Sequence, residues 1–214
     1  QLLEQARNDR MDAVIDAAAE LFLARGIDSV RMTDIAQAAD IGVASLYRYF
    51  GTKTTLVIGA GIRLWRRVHG LLDRAMAEAG TLCGAEQIRL LLSLQVTLYR
   101  EHQPFLRFLS GFDALMLREQ VPRDELADYE AVILNVYPVF EQAWRKGMAD
   151  GSLRSDVDYP LLYRSLTHAL MSLCQRFIVG EILPSDDYRE AENELQAIID
   201  MAMVSIQASK NQEA

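Results

Sequence analysis

Cysteine, proline and basic charge are all scarce in this chain of 214 residues, and each shortage removes a class of protein. The 2 cysteines, Cys83 and Cys174, cannot build a disulfide framework, and neither sits in a CxxC or Cys/His cluster with zinc-ligand spacing. A reducing compartment, the cytoplasm, is the expected setting, with no metal or other cofactor. Apolar runs fall short of the roughly 18 residues that span a bilayer, and no apolar stretch follows the opening QLLEQARNDR, so neither membrane insertion nor secretion is expected. Position 1 is Gln instead of Met, which leads one to expect further sequence upstream.

Catalytic signatures are missing too. There is no HExxH, no Gly-rich phosphate loop and no GxSxG, and the 3 histidines, His69, His102 and His168, are scattered. His168 and Cys174 stand about 240° apart around a helix and cannot face each other. The chain is therefore not read as an enzyme. Lys and Arg number 22 against 30 Asp and Glu, and a net charge of −8 argues against coating nucleic acid by bulk electrostatics. The deficit is uneven: residues 1–74 hold 10 basic and 9 acidic side chains, the remainder 12 and 21. An anionic partner fits the N-terminal third best.

What is present is apolar material, 50% of the chain, arranged with helical periodicity from end to end. Met11, Val14, Ile15, Ala18, Leu21 and Phe22 share one helical face, and Gly26 ends that helix. Two short helices follow at 32–39 and 43–50, broken around Asp40; helices of about two turns are marginal alone and must pack on the first. A longer helix starts near Thr52 and runs to about Gly80, with Leu56, Ile62, Trp65, Val68 and Leu72 as core contacts. Gly59 and Gly61 interrupt it, through either the close approach of a neighbour or a bend. Further helices are expected at 84–101, 104–117, 124–149 with a kink at Pro138, 158–180 and 186–208. Period-2 alternation and AsnGly turns are absent, so the fold class is all-α.

Residues 31–50 form a unit able to enter a major groove. Ile35, Ala36, Ile41, Leu46 and Phe50 would lock its two helices together, leaving Arg31, Thr33, Val43, Ala44, Ser45, Arg48 and Tyr49 outward. Small residues at 42–45 let a helix approach base edges, and Tyr47 and Tyr49 carry hydroxyls of phosphate-reaching length. Lys53 opposes the dipole in the first turn of its helix, a placement useful to a docked phosphate and equally consistent with a solvated charge.

The stretch AAAELFLARGIDSVRMTDIAQAADIGVASLYRYFGTKTTL, above all IGVAS followed by LYRYFGTK, resembles the TetR family of transcriptional regulators, and AWRKGMADGSLRSDVD at 143–158 adds to the resemblance. The resemblance implies a three-helix DNA-binding head at 1–52, with its helix-turn-helix at 31–50, and a helical effector-binding and dimerisation body at 53–214. Thr33, Gly42, Val43, Ala44, Ser45, Tyr47, Tyr49 and Lys53 match positions at which family members contact DNA. Arg31 adds a phosphate contact, and Arg48 another contact if it points into the groove. Three departures stand out: Asp40 where Gly is usual, Gly42 where Ser or Thr caps the recognition helix, and Arg31 where a capping Thr or Ser is frequent.

The implied partners are a double-stranded operator, a second copy of the chain through the last two helices, and a small apolar or aromatic effector. For that effector, Phe105, Phe108, Phe112 and Met116 share a helical face; Tyr129, Tyr137, Phe140, Trp144, His168, Met171 and Gln175 lie on helices able to surround it. The same stripe reads equally well as plain core. Repression is the expected behaviour and activation the alternative.

Overall fold

The computed structural model describes residues 2–208, and among them no strand forms; a lone antiparallel bridge pairs Leu153 with Gln207. The helices are α1 Leu2–Arg25, α2 Met32–Ala38, α3 Val43–Phe50, α4 Lys53–Glu78, α5 Gly84–Glu101, α6 Gln103–Arg118, α7 Ala127–Leu134, α8 Tyr137–Ala149, α9 Tyr159–Val179 and α10 Ala191–Ile206. The class is all-α, as the periodicity requires. No helix among the described residues is long and apolar enough to cross a membrane. By contacts the chain divides into two compact units, Gln1–Val68 with Arg107–Ile133, and His69–Leu106 with Leu134–Ala214. This partition of contacts differs from the functional division after Thr52 suggested by the sequence.

In the first unit α1 packs on α2, and α2 on α3. Val14, Ala18 and Phe22 of α1 are buried, as are Ile35, Ala36, Leu46 and Phe50. Each large side chain so removed from water stabilises by about 1.5 to 3 kcal/mol. Gly26, at φ +78°, closes α1 by donating its N–H to the Phe22 carbonyl at 2.9 Å. The glycines of α4 mark close approach. A Cβ on Gly59 would lie 3.3 Å from Ile15, and one on Gly61 only 2.7 Å from the Tyr129 ring. That ring stacks on Phe112 at a centroid distance of 4.1 Å, and its hydroxyl accepts a 3.1 Å hydrogen bond from Trp65 Nε1.

In the second unit α5 packs against α8, α9 and α10. The contact with α8 is backbone to backbone, because a Cβ on Gly84 would lie 1.9 Å from the Gly147 nitrogen and 2.7 Å from the Ala143 carbonyl oxygen. The small residues of AWRKG permit that crossing, and the loop after α8 caps α5. Asp150 Oδ2 accepts from the Gly84 N–H at 2.8 Å and Ser152 Oγ from the Ala85 N–H at 3.0 Å, satisfying donors a helix start leaves free.

Two helix boundaries differ from the sequence reading. The helix expected at 124–149 is not kinked at Pro138 but broken: a 3-10 turn at Arg123–Leu126, α7, then α8 with Pro138 in its first turn. Proline has no N–H to give an interior turn but loses nothing at a helix start. The last helix begins at Ala191 instead of near 186 because Asp186 ties down the preceding loop. Its carboxylate accepts from the Ile182 and Leu183 N–H groups, each at 2.8 Å, and from Arg176 at 3.0 Å.

Cys174 is fully buried on α9, and burial pushes its thiol up to about 12, whereas Cys83 is half-buried. A thiol reagent added to the native protein near pH 8 should therefore modify Cys83 alone, with Cys174 reacting only on unfolding, because the thiolate is the nucleophile. Two fast-reacting thiols in the folded protein would contradict this packing.

Candidate nucleic-acid interface

Helix α2 begins without a side-chain cap from Arg31, which has no acceptor to offer. Asp34, three residues on, supplies the other half of the usual arrangement: its Oδ2 accepts from the Arg31 N–H at 2.8 Å and lies 3.7 Å from Arg31 Nε. That N–H, helped by the nearby guanidinium groups, holds the Asp34 carboxyl below its ordinary value.

The turn between the two short helices is a Schellman motif. Ile41 N–H reaches the Ala36 carbonyl at 3.0 Å and Asp40 N–H the Gln37 carbonyl at 3.3 Å, with Asp40 in the left-handed region at φ +51°. Aspartate thus does adopt the form for which glycine is usual. Gly42 opens α3 in extended conformation with no side-chain cap, and nothing lies within 4 Å of where its Cβ would be.

Leu46 and Phe50 turn inward from α3. On its outer side Gly42, Val43, Ala44, Tyr47 and Arg48 are exposed, Val43 by 38% and Tyr47 by 49%, while Ser45 and Tyr49 are half-buried. The first turn therefore presents only small side chains. Arg31 and Thr33 are exposed beside it. Lys53 is half-buried at the first position of α4, where Thr52 Oγ1 accepts from the Thr55 N–H at 3.2 Å. Desolvation holds the Lys53 ammonium below its ordinary value, against the pull of Asp28 and Asp34.

Arg48 folds along its own helix. Its guanidinium donates to the Tyr49 hydroxyl at 3.3 Å and lies 5.0 Å from the ring centroid. A second guanidinium, that of Arg7 on α1, lies 5.7 Å from the same ring. Nothing local in the sequence pairs Arg7 with Tyr49; the sidedness of charge on α1 is the signal that points to it.

The effector candidates separate between the two units. Phe108, Phe112 and Met116 are buried in the first, where Phe108 meets Phe22 at 6.3 Å and Phe112 stacks on Tyr129. Phe105 is buried in the second. Tyr137 and Trp144 join an aromatic cluster there: Tyr137 meets Tyr163 at 4.9 Å and Trp144 stacks on Tyr159 at 5.0 Å. Trp144, Phe140, Tyr159, Tyr163, Leu92 and Thr167 line a cleft of about 10 Å³, room for roughly one water. Phe140, a candidate from the sequence, meets Tyr163 here; Tyr159 and Tyr163 themselves are not legible in the sequence, since long-range packing alone brings them to Trp144 and Phe140. The Tyr159 hydroxyl is buried with no hydrogen-bond partner, and burial raises its pKa. His168 is exposed, on the same side of α9 as Leu161 and Val179; Met171 and Gln175 are half-buried.

The sequence profile for bacterial regulatory proteins of the tetR family matches residues 14–60. HTH-type transcriptional repressor KstR2 of Mycolicibacterium smegmatis is 30% identical over 167 residues, covering 72% of this chain and 73% of that protein. HTH-type transcriptional repressor KstR of the same organism is 33% identical over 81 residues, and there the match spans 38% of this chain and only 40% of the relative. Among solved structures, the ketosteroid transcriptional regulator KstR2 of Mycobacterium tuberculosis superposes with a TM-score of 0.57 at 17% identity, over 92% of this chain and 94% of that one.

Proposed function

The chain belongs to the TetR family of bacterial regulatory proteins, and from that premise we propose that it represses transcription as a two-fold dimer on a palindromic operator and lets go when a small apolar molecule binds its body. One observation carries the DNA half of the reading: α3 rests on buried Leu46 and Phe50 while its first turn offers nothing bulkier than Val43 to the outside. Such a helix reaches base edges closely. Val43 and Ala44 then meet thymine methyls, the Ser45 hydroxyl bonds to a base, and Arg31, Thr33, Tyr47, Tyr49 and Lys53 hold phosphates.

One head covers few base pairs, so two copies about 34 to 36 Å apart are needed to read a full site. Support for pairing through the last two helices comes from large apolar side chains left in water on α9 and α10: Leu161, Val179, Met201 and Val204, the last 80% exposed. Support for an effector comes from the structural relative described as a ketosteroid regulator and from polar atoms in the second unit. His69 Nε2, Gln95 Oε1 and Tyr159 Oη are buried without partners, and the polar groups of a largely apolar guest would satisfy such atoms.

Selection of bound sequences from random duplex DNA tests the reading. A palindromic motif is expected. Lys53→Ala or Tyr49→Ala should weaken binding to all sequences alike, by about tenfold, whereas changing Ser45 should alter which sequence wins. Enrichment of no motif would overturn the operator half. Unchanged operator affinity across a panel of saturating ketosteroids would remove that class of effector.

A further inference from the structure

Charge on α1 is segregated by side. At about 100° per residue, Arg7, Arg10 and Arg25 fall on one side of the helix and Asp9, Asp12, Asp16 and Glu20 on the other, with Glu4, in the first turn, the one acidic side chain nearer the basic side. The acidic side is occupied within the first unit. Asp12 and Asp16 each sit 2.9 Å from Arg63 of α4, Glu20 sits 2.7 Å from Arg67, and Asp9 accepts from Gln5 at 2.9 Å. The basic side differs. Arg7 and Arg10 are exposed, and among the described residues neither has a carboxylate within ion-pair distance. Arg7 lies beside Tyr49 at the end of α3, its guanidinium over the ring, and Arg10 follows one turn along the same side of α1; after Arg48, the charges of Arg10 and Arg7 hold the Tyr49 hydroxyl below the ordinary phenol value.

We infer that Arg7 and Arg10 are a second DNA contact, gripping backbone phosphates beside the groove that α3 enters. The inference rests on the DNA-binding reading and extends it to a part of α1 that precedes the matched residues 14–60. Exposed guanidinium groups without a carboxylate partner, one of them over a tyrosine of α3, suit a phosphodiester, whose two free oxygens accept a pair of N–H bonds from one arginine. They carry no base code, so they add affinity without changing the preferred sequence. They also supply positive charge where a chain of net −8 needs it.

The test compares the full chain with Arg7→Ala/Arg10→Ala, and with Arg7→Gln/Arg10→Gln, on duplexes recovered by selection. Binding is measured between about 50 and 200 mM salt. The double variants should melt as the parent does and prefer the same sequence, yet bind on the order of tenfold more weakly at the lower salt. The slope of log K against log salt should be shallower by about 2 per chain bound. The loss should persist in a Tyr49→Ala background; if the arginines acted only by holding the tyrosine ring, it would vanish there. An unchanged slope overturns this inference alone. A parent protein that binds no duplex overturns the DNA-binding reading with it.

Discussion

Ala44→Glu is expected to abolish duplex binding while leaving the melting temperature within a degree or two of the parent. Ala44 is exposed in the first turn of α3 and sits two positions before buried Leu46. Glutamate near a helix start suits the dipole, so folding is not opposed. The face itself changes. A carboxylate on a longer stem would meet either a base edge at van der Waals range or the phosphates flanking it, and juxtaposed like charges cost several kcal/mol. A loss of about 3 kcal/mol corresponds to more than 100-fold in affinity. Gel shift and thermal melting on the same preparation check it. Near-parental binding by a folded Ala44→Glu protein would mean that another surface holds DNA.

The second large effect lies in the body. Gly84→Ala should lower stability by about 4 kcal/mol or more, beyond the usual 1 to 3 for added core volume, because the new methyl would meet backbone that cannot rotate away. The Gly147 nitrogen lies 1.9 Å and its Cα 2.2 Å from that methyl position. Separating α5 from α8 would also pull the Gly84 and Ala85 N–H groups away from Asp150 and Ser152. For a protein of this size the melting temperature should fall by about 10 °C or more. Gly70→Ala is the control. It lies inside α4, where a Cβ meets only the tip of Arg74 at 3.8 Å, and should gain about 0.5 to 1 kcal/mol. A Gly84→Ala protein that melts with the parent would show that the crossing is looser than described.

The cap also gives the body an acid dependence. Hydrogen bonds from Ser152 and from the Gly84 N–H hold the Asp150 carboxyl below its ordinary value. A depressed carboxylate contributes stability that is complete above its unfolded value and is lost as pH falls through the folded one, so this junction weakens only in acid.

The head was legible because its signals are local. Apolar positions such as Ile35, Leu46 and Phe50 repeat within a turn or two, and Asp40 stands between them as the only break. The glycines of α4 were ambiguous because a gap in a helix pattern does not name its neighbour; only the fold brings Ile15 to Gly59 and Tyr129 to Gly61. Pro138 reads as a kink because the hydrophobic pattern runs on through it, whereas the backbone stops at Leu134 and restarts at Tyr137. The aromatic cluster was half visible. Tyr137 and Trp144 stood out on one segment, but their partners Tyr159 and Tyr163 belong to the next, across a loop whose course the sequence does not state. Arg7 is hidden in the sequence for a similar reason, since pairing it with Tyr49 needs the three-dimensional return of α3 to α1.

Ring lies against ring along the cleft of Trp144, Tyr159 and Tyr163, leaving about 10 Å³. Any guest larger than a water molecule must therefore wait for those rings to part, or wedge them apart on arrival. If the proposed effector docks there, its measured affinity is its intrinsic affinity scaled down by the fraction of molecules already ajar, which favours a molecule that is abundant or fits very well.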